Sequence, residues 1–361
     1  MDTGTIDTLS EEHPAEPARG PRWPYVLVAT FLAIGLVVML LWPVKVPYVA
    51  LSPGPVERVP DLITVDGAET YPPTGDLYLL TVGLRDVNVF EYIEAQFDEE
   101  VDLVDRERVR PRGVSQEEQK RTNLEAMDGS IEAAMFVALS RLGYDVGFEG
   151  DGVVVLDIVE GSPSDGVLEE GDIVSEVEGT PVEITDEAAA IIRSFEIGDT
   201  ITLSIVRDDR PMDVEITLAP HPDLEGEPMV GVLLDTINLT LSVPIEVEVD
   251  SRNIGGPSAG MMYAVSLMDL LTPEDLTKGH RIAGTGTISF DETVGAIGGV
   301  RQKVYAARAV GAEIVFVPES NYEDALTAAG DDILIVPVTT LQDVLDFLEA
   351  LQPVPEVVAA G

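Results

Sequence analysis

The sequence predicts a multidomain chain: a single N-terminal transmembrane helix, a small β-rich module in the middle and a C-terminal domain of α+β type. Three observations carry this. Residues 25–42, YVLVATFLAIGLVVMLLW, contain no charge. Residues 144–220 hold short strand-like runs with one helical stretch among them, and from residue 230 onward strand-like and helix-like segments alternate. A length of 361 residues allows two to three domains, and 45% apolar content is too much for a disordered polymer.

Residues 1–22 are polar and show no apolar periodicity, which predicts a tail; it ends in Arg19 and Arg22. The 18 uncharged residues that follow would span about 27 Å as a helix, with Trp23 and Trp42 as interfacial anchors. A cleaved signal peptide fits less well, because the apolar run is long and no small-x-small site follows it. A buried core helix would show a polar face, and this one has none. The expected span is 23–43. Two arginines precede it and only Lys45 follows closely, so the positive-inside rule places the tail in the cytoplasm and the body outside the cell membrane.

Residues 44–130 mix turn clusters, SPGP at 52–55 and YPPTG at 71–75, with strand-like runs such as LYLLTV, and end in a helical QEEQKRTNLEAM. They predict a membrane-proximal β-rich subdomain without a catalytic constellation. Gly129–Leu142 has helical apolar spacing stopped by Gly143. The strands DGVVVLDIV, GDIVSEVEG, DTITLSIVR and VEITLAP follow, with the helix DEAAAIIRSF between them, so 131–220 predicts a separate module. Composition makes 221–229 a linker. Residues 230–352 are long enough for a core of their own, and 353–361 read as a tail.

Acidic residues number 66 against 21 basic, a formal net charge of −45. Phosphates would be repelled nearly everywhere, which excludes nucleic acid as a partner. The absence of cysteine excludes thiol catalysis, disulfides, thiolate zinc sites and iron–sulfur clusters. No HExxH occurs, and the chain has no Gly-Lys dipeptide, so neither a zincin motif nor a nucleotide-binding P-loop is present. No metal and no cofactor are expected.

Two segments can carry chemistry. In GGPSAGMMYAVSLMDLL, positions 255–271, Gly256 permits a tight turn, Pro257 suits a first helical position, and Ser258 then stands at the N-terminal end of an apolar helix. Free N–H groups there, near Ser258 and Ala259, can stabilise an oxyanion. A serine that merely caps the helix fits the same local pattern. In GGVRQKVYAARAVG, Lys303 shares a helix face with Val300 and Ala307 and so points inward. Burial lowers the basicity of a lysine, and a neutral lysine can take a proton from a serine; one that snorkels to water cannot. No Asp or Glu occurs within 251–268 or 293–312, so no near neighbour in sequence would raise that basicity again. A Ser-His-Asp arrangement would have to use His280 or, less plausibly, His221.

GGPSAG at 255–260 together with GTGTISFDETVGAIGGVRQKVYAARAVGAEIVFVP at 284–318 resembles the proteolytic domain of Lon-type Ser-Lys proteases. The resemblance implies Ser258 as nucleophile, Lys303 as base after Ile297-Gly298-Gly299, and Thr285 as the threonine that hydrogen-bonds the lysine. Thr287 stands where Lon usually has glutamate. The segment EGSPSDGVLEEGDIVSEVEGTPV, residues 160–182, is similar to bacterial PDZ domains, and Leu142-Gly143-Tyr144 is the matching candidate for a carboxylate-binding loop. The order of anchor, PDZ-like module and Lon-type protease domain without an ATPase is similar to membrane-bound Lon-like proteins of Gram-positive bacteria. It implies an ATP-independent serine endopeptidase acting on unfolded or PDZ-captured proteins, with a homo-oligomeric ring by resemblance only. The competing expectations are a PDZ scaffold whose protease domain is inactive and an enzyme that only trims itself.

Overall fold

The computed structural model describes residues 23–355 apart from 223, 225 and 253. The expected tail 1–22 and residues 356–361 lie outside the described residues. The chain divides into two units, Met1–Ser52 with Leu84–Arg112, and Pro53–Gly83 with Gly113–Gly361.

The first unit opens with helix α1 (Trp23–Leu41), uncharged and exposed on every described side. Among the described residues no helix is long and apolar enough to cross a membrane. At 19 residues α1 measures about 28 Å, just under a hydrocarbon core of about 30 Å, and it stops two residues short of the expected 23–43 span. Beyond it, Tyr48–Leu51 pair antiparallel with Asp102–Asp105. Helix α2 (Val89–Ala95) starts in a capping box: the Asn88 side chain accepts the Phe90 and Glu91 amides, and the Glu91 carboxylate accepts the Asn88 amide at 2.7 Å. Asp86 ties down the short helix α3 (Arg106–Val109) through Arg106 at 3.0 Å.

In the second unit a parallel sheet runs in the order Leu334–Val338, Ile314–Pro318, Arg281–Gly284 and Asp76–Leu79. Its side chains alternate between two cores as strand geometry requires. Ile282, Ile314 and Phe316 face one side, against helices α4 (Gln116–Arg141), α6 (Gly260–Leu271) and α9 (Leu341–Ala350); Ala283, Val315 and Val317 face the other, against α7 (Val300–Ala309) and α8 (Tyr322–Ala329). The C-terminal domain is therefore a three-layer structure with helices on both faces.

Three expected boundaries move. The strand Asp76–Asn88 contributes Leu77 and Leu79 to the core beneath α4, α6 and α9, so this part of 44–130 belongs to the C-terminal domain rather than to a separate subdomain. The helices expected on either side of residue 130 are one continuous helix, α4, whose Met127, Ala133, Ala134, Val137 and Ala138 pack into the same core. Burial on both sides of Gly129 offsets the roughly 1 kcal/mol that a mid-helix glycine costs. The β-rich module also extends past 220: its sheet runs Arg210–Thr217, Thr200–Arg207, Ile173–Val177, Val153–Ile158 and lastly Val232–Thr236, with helix α5 (Thr185–Arg193) beside it. The expected linker 221–229 thus leads to a strand of this module and not directly to the next domain. Within the module burial pushes the Asp172 carboxyl up, but Arg207, at 2.6 Å, and the donating Glu169 amide outweigh it and hold the carboxyl below its ordinary range.

Candidate active site

Thr285 follows directly on the strand Arg281–Gly284, at the C-terminal edge of the sheet where α/β folds leave their crevices. Its amide donates to the Phe316 carbonyl at 3.0 Å, which fixes it to the neighbouring strand. The turn carrying Ser258 lies on one side of this strand end, before α6. Lys303 reaches it from α7 on the other side, after one helical turn from Gly299, whose φ of +68° starts the helix.

The three side chains meet. Lys303 Nζ donates to Ser258 Oγ at 2.8 Å and to Thr285 Oγ1 at 2.8 Å, and Thr285 Oγ1 donates to the Ser258 carbonyl at 3.1 Å. Thr285 is fully buried, Lys303 is 2% exposed and Ser258 is half-buried, so the nucleophile alone of the three faces outward. Burial pushes the Lys303 amine down from its ordinary value to about 7, and no carboxylate acts to raise it. That matches the acid-free stretches around both residues.

The helix begins three residues later than expected. Gly260 is its first residue, so Pro257 and Ser258 lie in the turn rather than in the first helical positions. The turn is held from several directions: the Gly256 amide donates to the Asn123 carbonyl at 2.7 Å, Ser130 Oγ donates to the Pro257 carbonyl at 2.8 Å, and the Gly286 amide donates to the Ser258 carbonyl at 2.9 Å. Gly256 has φ of +89°, a conformation only glycine adopts freely. The amides of Ser258 and Ala259 donate to no described residue and stand beside the nucleophile, as an oxyanion site needs.

Asn123 and Ser130 were missed in the sequence because both sit on α4, more than a hundred residues from the turn they hold. A Cβ at Gly260 would collide with Ser130 Oγ, so the small residue there is the one local trace of that contact. Thr287 lies on the short strand Thr287–Ile288, paired with Val294–Gly295. His280 is bound elsewhere, with Nδ1 on Glu313 at 2.7 Å and Nε2 on the Gln352 carbonyl at 2.9 Å, and makes no contact with Ser258. Among the described residues no group of three His, Asp or Glu is placed to hold a metal.

Leu142-Gly143-Tyr144 does not form a carboxylate-binding loop. These residues end α4, and their amides donate to the helix carbonyls of Ala138, Ser140 and Leu139 at 3.2, 3.0 and 3.0 Å. A groove of the β-rich module lies elsewhere, a space of about 340 Å³ between α5 and the strand Val232–Thr236, lined by Ala189, Ile192, Arg193, Val230, Gly231 and Leu234 among others. At its end the amides of Val230 and Gly231 donate to no described residue, and Gly231 has φ of +84°.

Residues 241–351 match the profile of the Lon protease (S16) C-terminal proteolytic domain, and residues 140–218 match that of the PDZ domain. Among curated proteins, Lon protease of Mesomycoplasma hyopneumoniae is 36% identical over 96 residues, 26% of this chain and 11% of that protein. Archaeal Lon protease of Halobacterium salinarum is 32% identical over 102 residues, 28% of this chain and 14% of that protein. The chain thus spans only 11% to 14% of the length of these two relatives. Among solved structures, the PDZ domain of an SdrC-like protein from Listeria monocytogenes is 30% identical, covering 23% of this chain and 87% of that one, with a TM-score of 0.22. Its counterpart from Listeria innocua is 31% identical over 23% of this chain and 93% of that one, again at 0.22. The chain carries a serine-peptidase domain of the Lon proteolytic type together with a PDZ domain.

Proposed function

We propose that this protein is a membrane-anchored serine endopeptidase that cleaves unfolded or PDZ-captured protein segments without nucleotide. The observation that carries the reading is one buried amine, Lys303 Nζ, at 2.8 Å from both Ser258 Oγ and Thr285 Oγ1. Neutral Lys303 takes the Ser258 proton as Oγ attacks the peptide carbonyl, then returns it to the leaving amine. Thr285 keeps the amine aimed at Oγ, and the Ser258 and Ala259 amides receive the developing oxyanion.

A captured chain enters the groove between α5 and Val232–Thr236 by strand addition, its terminal carboxylate on the Val230 and Gly231 amides near Arg193. Freedom from nucleotide is supported by the missing P-loop motif. The segment proposed as the anchor is α1: uncharged and exposed on every described side, its 19 residues fall about 2 Å short of a hydrocarbon core of about 30 Å, a gap that slight local thinning of the bilayer would close. The charge pattern of its flanks supports an N-terminus in the cytoplasm and a body outside. The ring is carried over from Lon by resemblance, and sedimentation of the detergent-solubilised chain tests it.

Purified wild type should digest a permanently unfolded protein in the absence of ATP, while Ser258→Ala and Lys303→Ala remain folded and inert. Equal digestion by either variant overturns the catalytic assignment. Extraction of the chain from membranes by alkaline carbonate, rather than by detergent alone, overturns the anchor.

A further inference from the structure

The first unit carries a row of large apolar side chains, one half-buried and two exposed, that the catalytic reading does not use. Along α2 and the turn after it, Phe90, Ile93 and Phe97 are spaced i, i+3 and i+7 and so share one face. Ile93 is 52% and Phe97 86% exposed, while Ala95 on another face is buried. Phe97 is held in place by its amide, which donates to the Glu94 carbonyl at 3.0 Å. Large apolar side chains left out of a core in a contiguous row mark a contact surface.

What covers the row follows from its neighbour. The Phe90 ring lies 6.0 Å from that of Trp42, the exposed aromatic residue just past the end of α1. A bilayer holding α1 sets Trp42 at headgroup depth, and Phe90 comes with it. We infer that the Phe90–Ile93–Phe97 face lies in the lipid interface beside α1, as a second, in-plane contact of the same unit with the bilayer. This rests on the reading of α1 as an anchor.

Charge selects the lipid. Glu94, Asp98, Glu99 and Glu100 border the row, and the nearby cations Lys45 and Arg85 both pair with Glu91, at 3.6 Å each. This acidic border repels an anionic headgroup, so the surface suits zwitterionic lipid.

The chain has two tryptophans, Trp23 and Trp42, which permits a direct test. Full-length Trp23→Phe/Trp42→Phe/Phe97→Trp is reconstituted into phosphatidylcholine vesicles with and without lipids brominated near the headgroup. The expected result is flotation with the vesicles and quenching of the new tryptophan by about twofold or more, reduced when Ile93→Asp is added and reduced when phosphatidylserine replaces most of the phosphatidylcholine. Flotation without quenching overturns this inference and leaves the anchor standing; failure to float overturns both. An unquenched, blue-shifted tryptophan whose emission moves to that of a water-exposed ring as protein is diluted into excess lipid assigns the face to a second copy of the chain, and also overturns it.

Discussion

Two glycine-containing turns, Gly256-Pro257-Ser258-Ala259 before α6 and Leu142-Gly143-Tyr144 after α4, look alike as candidates for holding an anion, and only one can. At a helix N-terminus the first amides have no partner within the helix, so those of Ser258 and Ala259 stay available. At a C-terminus the orphan groups are carbonyls, and the amides that follow are drawn back onto them, as at Gly143 and Tyr144. Helix polarity, rather than the glycine, decides which turn faces a ligand. The Val230–Gly231 turn makes the same point from a strand: its amides are available because the chain is only beginning its ladder with Val153–Ile158 there.

The largest effect separates the first turn from the second by chemistry. Ser258→Ala or Lys303→Ala should lower kcat for peptide cleavage by about 10⁴-fold or more, whereas Gly143→Ala should leave kcat unchanged; initial rates on an unfolded substrate decide it. Next in size is the cost of keeping Lys303 out of water. Its folded value, about 7, lies below the ordinary 10.5, so the unfolded chain binds more protons between those values and wild-type stability rises with pH across that window. Lys303→Met removes the penalty and should stabilise by up to about 4 kcal/mol at pH 6, with a gain that shrinks toward pH 10; denaturant midpoints at the two pH values measure it.

Smaller effects probe what holds each turn. Ser130→Ala frees the Pro257 carbonyl and should lower kcat about 10- to 100-fold with KM little changed, and Ser130→Thr should restore part of it. In the PDZ domain, Gly231→Ala is strained at φ +84° and would meet Ser162, so it should weaken binding of a C-terminal peptide about tenfold. Gly143→Ala, strained at φ +82° but with open space around it, should cost about 1 kcal/mol of stability and leave peptide affinity unaltered. Fluorescence titration with a labelled peptide separates these last two variants.

The legible parts of the molecule were those written in local pattern. Helix spacing with Val300 and Ala307 and the turn chemistry at Gly256 and Pro257 made Lys303 and Ser258 candidates, a snorkelling lysine and a capping serine fitting the same patterns, and the resemblance to Lon-type proteases joined them as a dyad. The strands of both domains likewise follow from their alternation and turn residues. What could not be read depends on contacts far apart in sequence. Nothing near Leu77 announces that its strand lies against Arg281–Gly284, nothing near Val232 announces that it completes the sheet of the preceding domain, and nothing on α4 announces that Asn123 and Ser130 hold a turn at 256–257. The loop placed at 142–144 went astray because a helix stop and a ligand turn share glycine, and only the hydrogen bonds tell them apart.

The central claim, that a buried neutral Lys303 activates Ser258, is tested most directly by the pH dependence of Ser258 acylation by a small serine-directed electrophile. In wild type the rate should rise with pH through a single ionisation near 7 and level off, and it should fall to background at every pH in Lys303→Met. A rate that is flat from pH 5 to 9, or that survives in Lys303→Met, contradicts it.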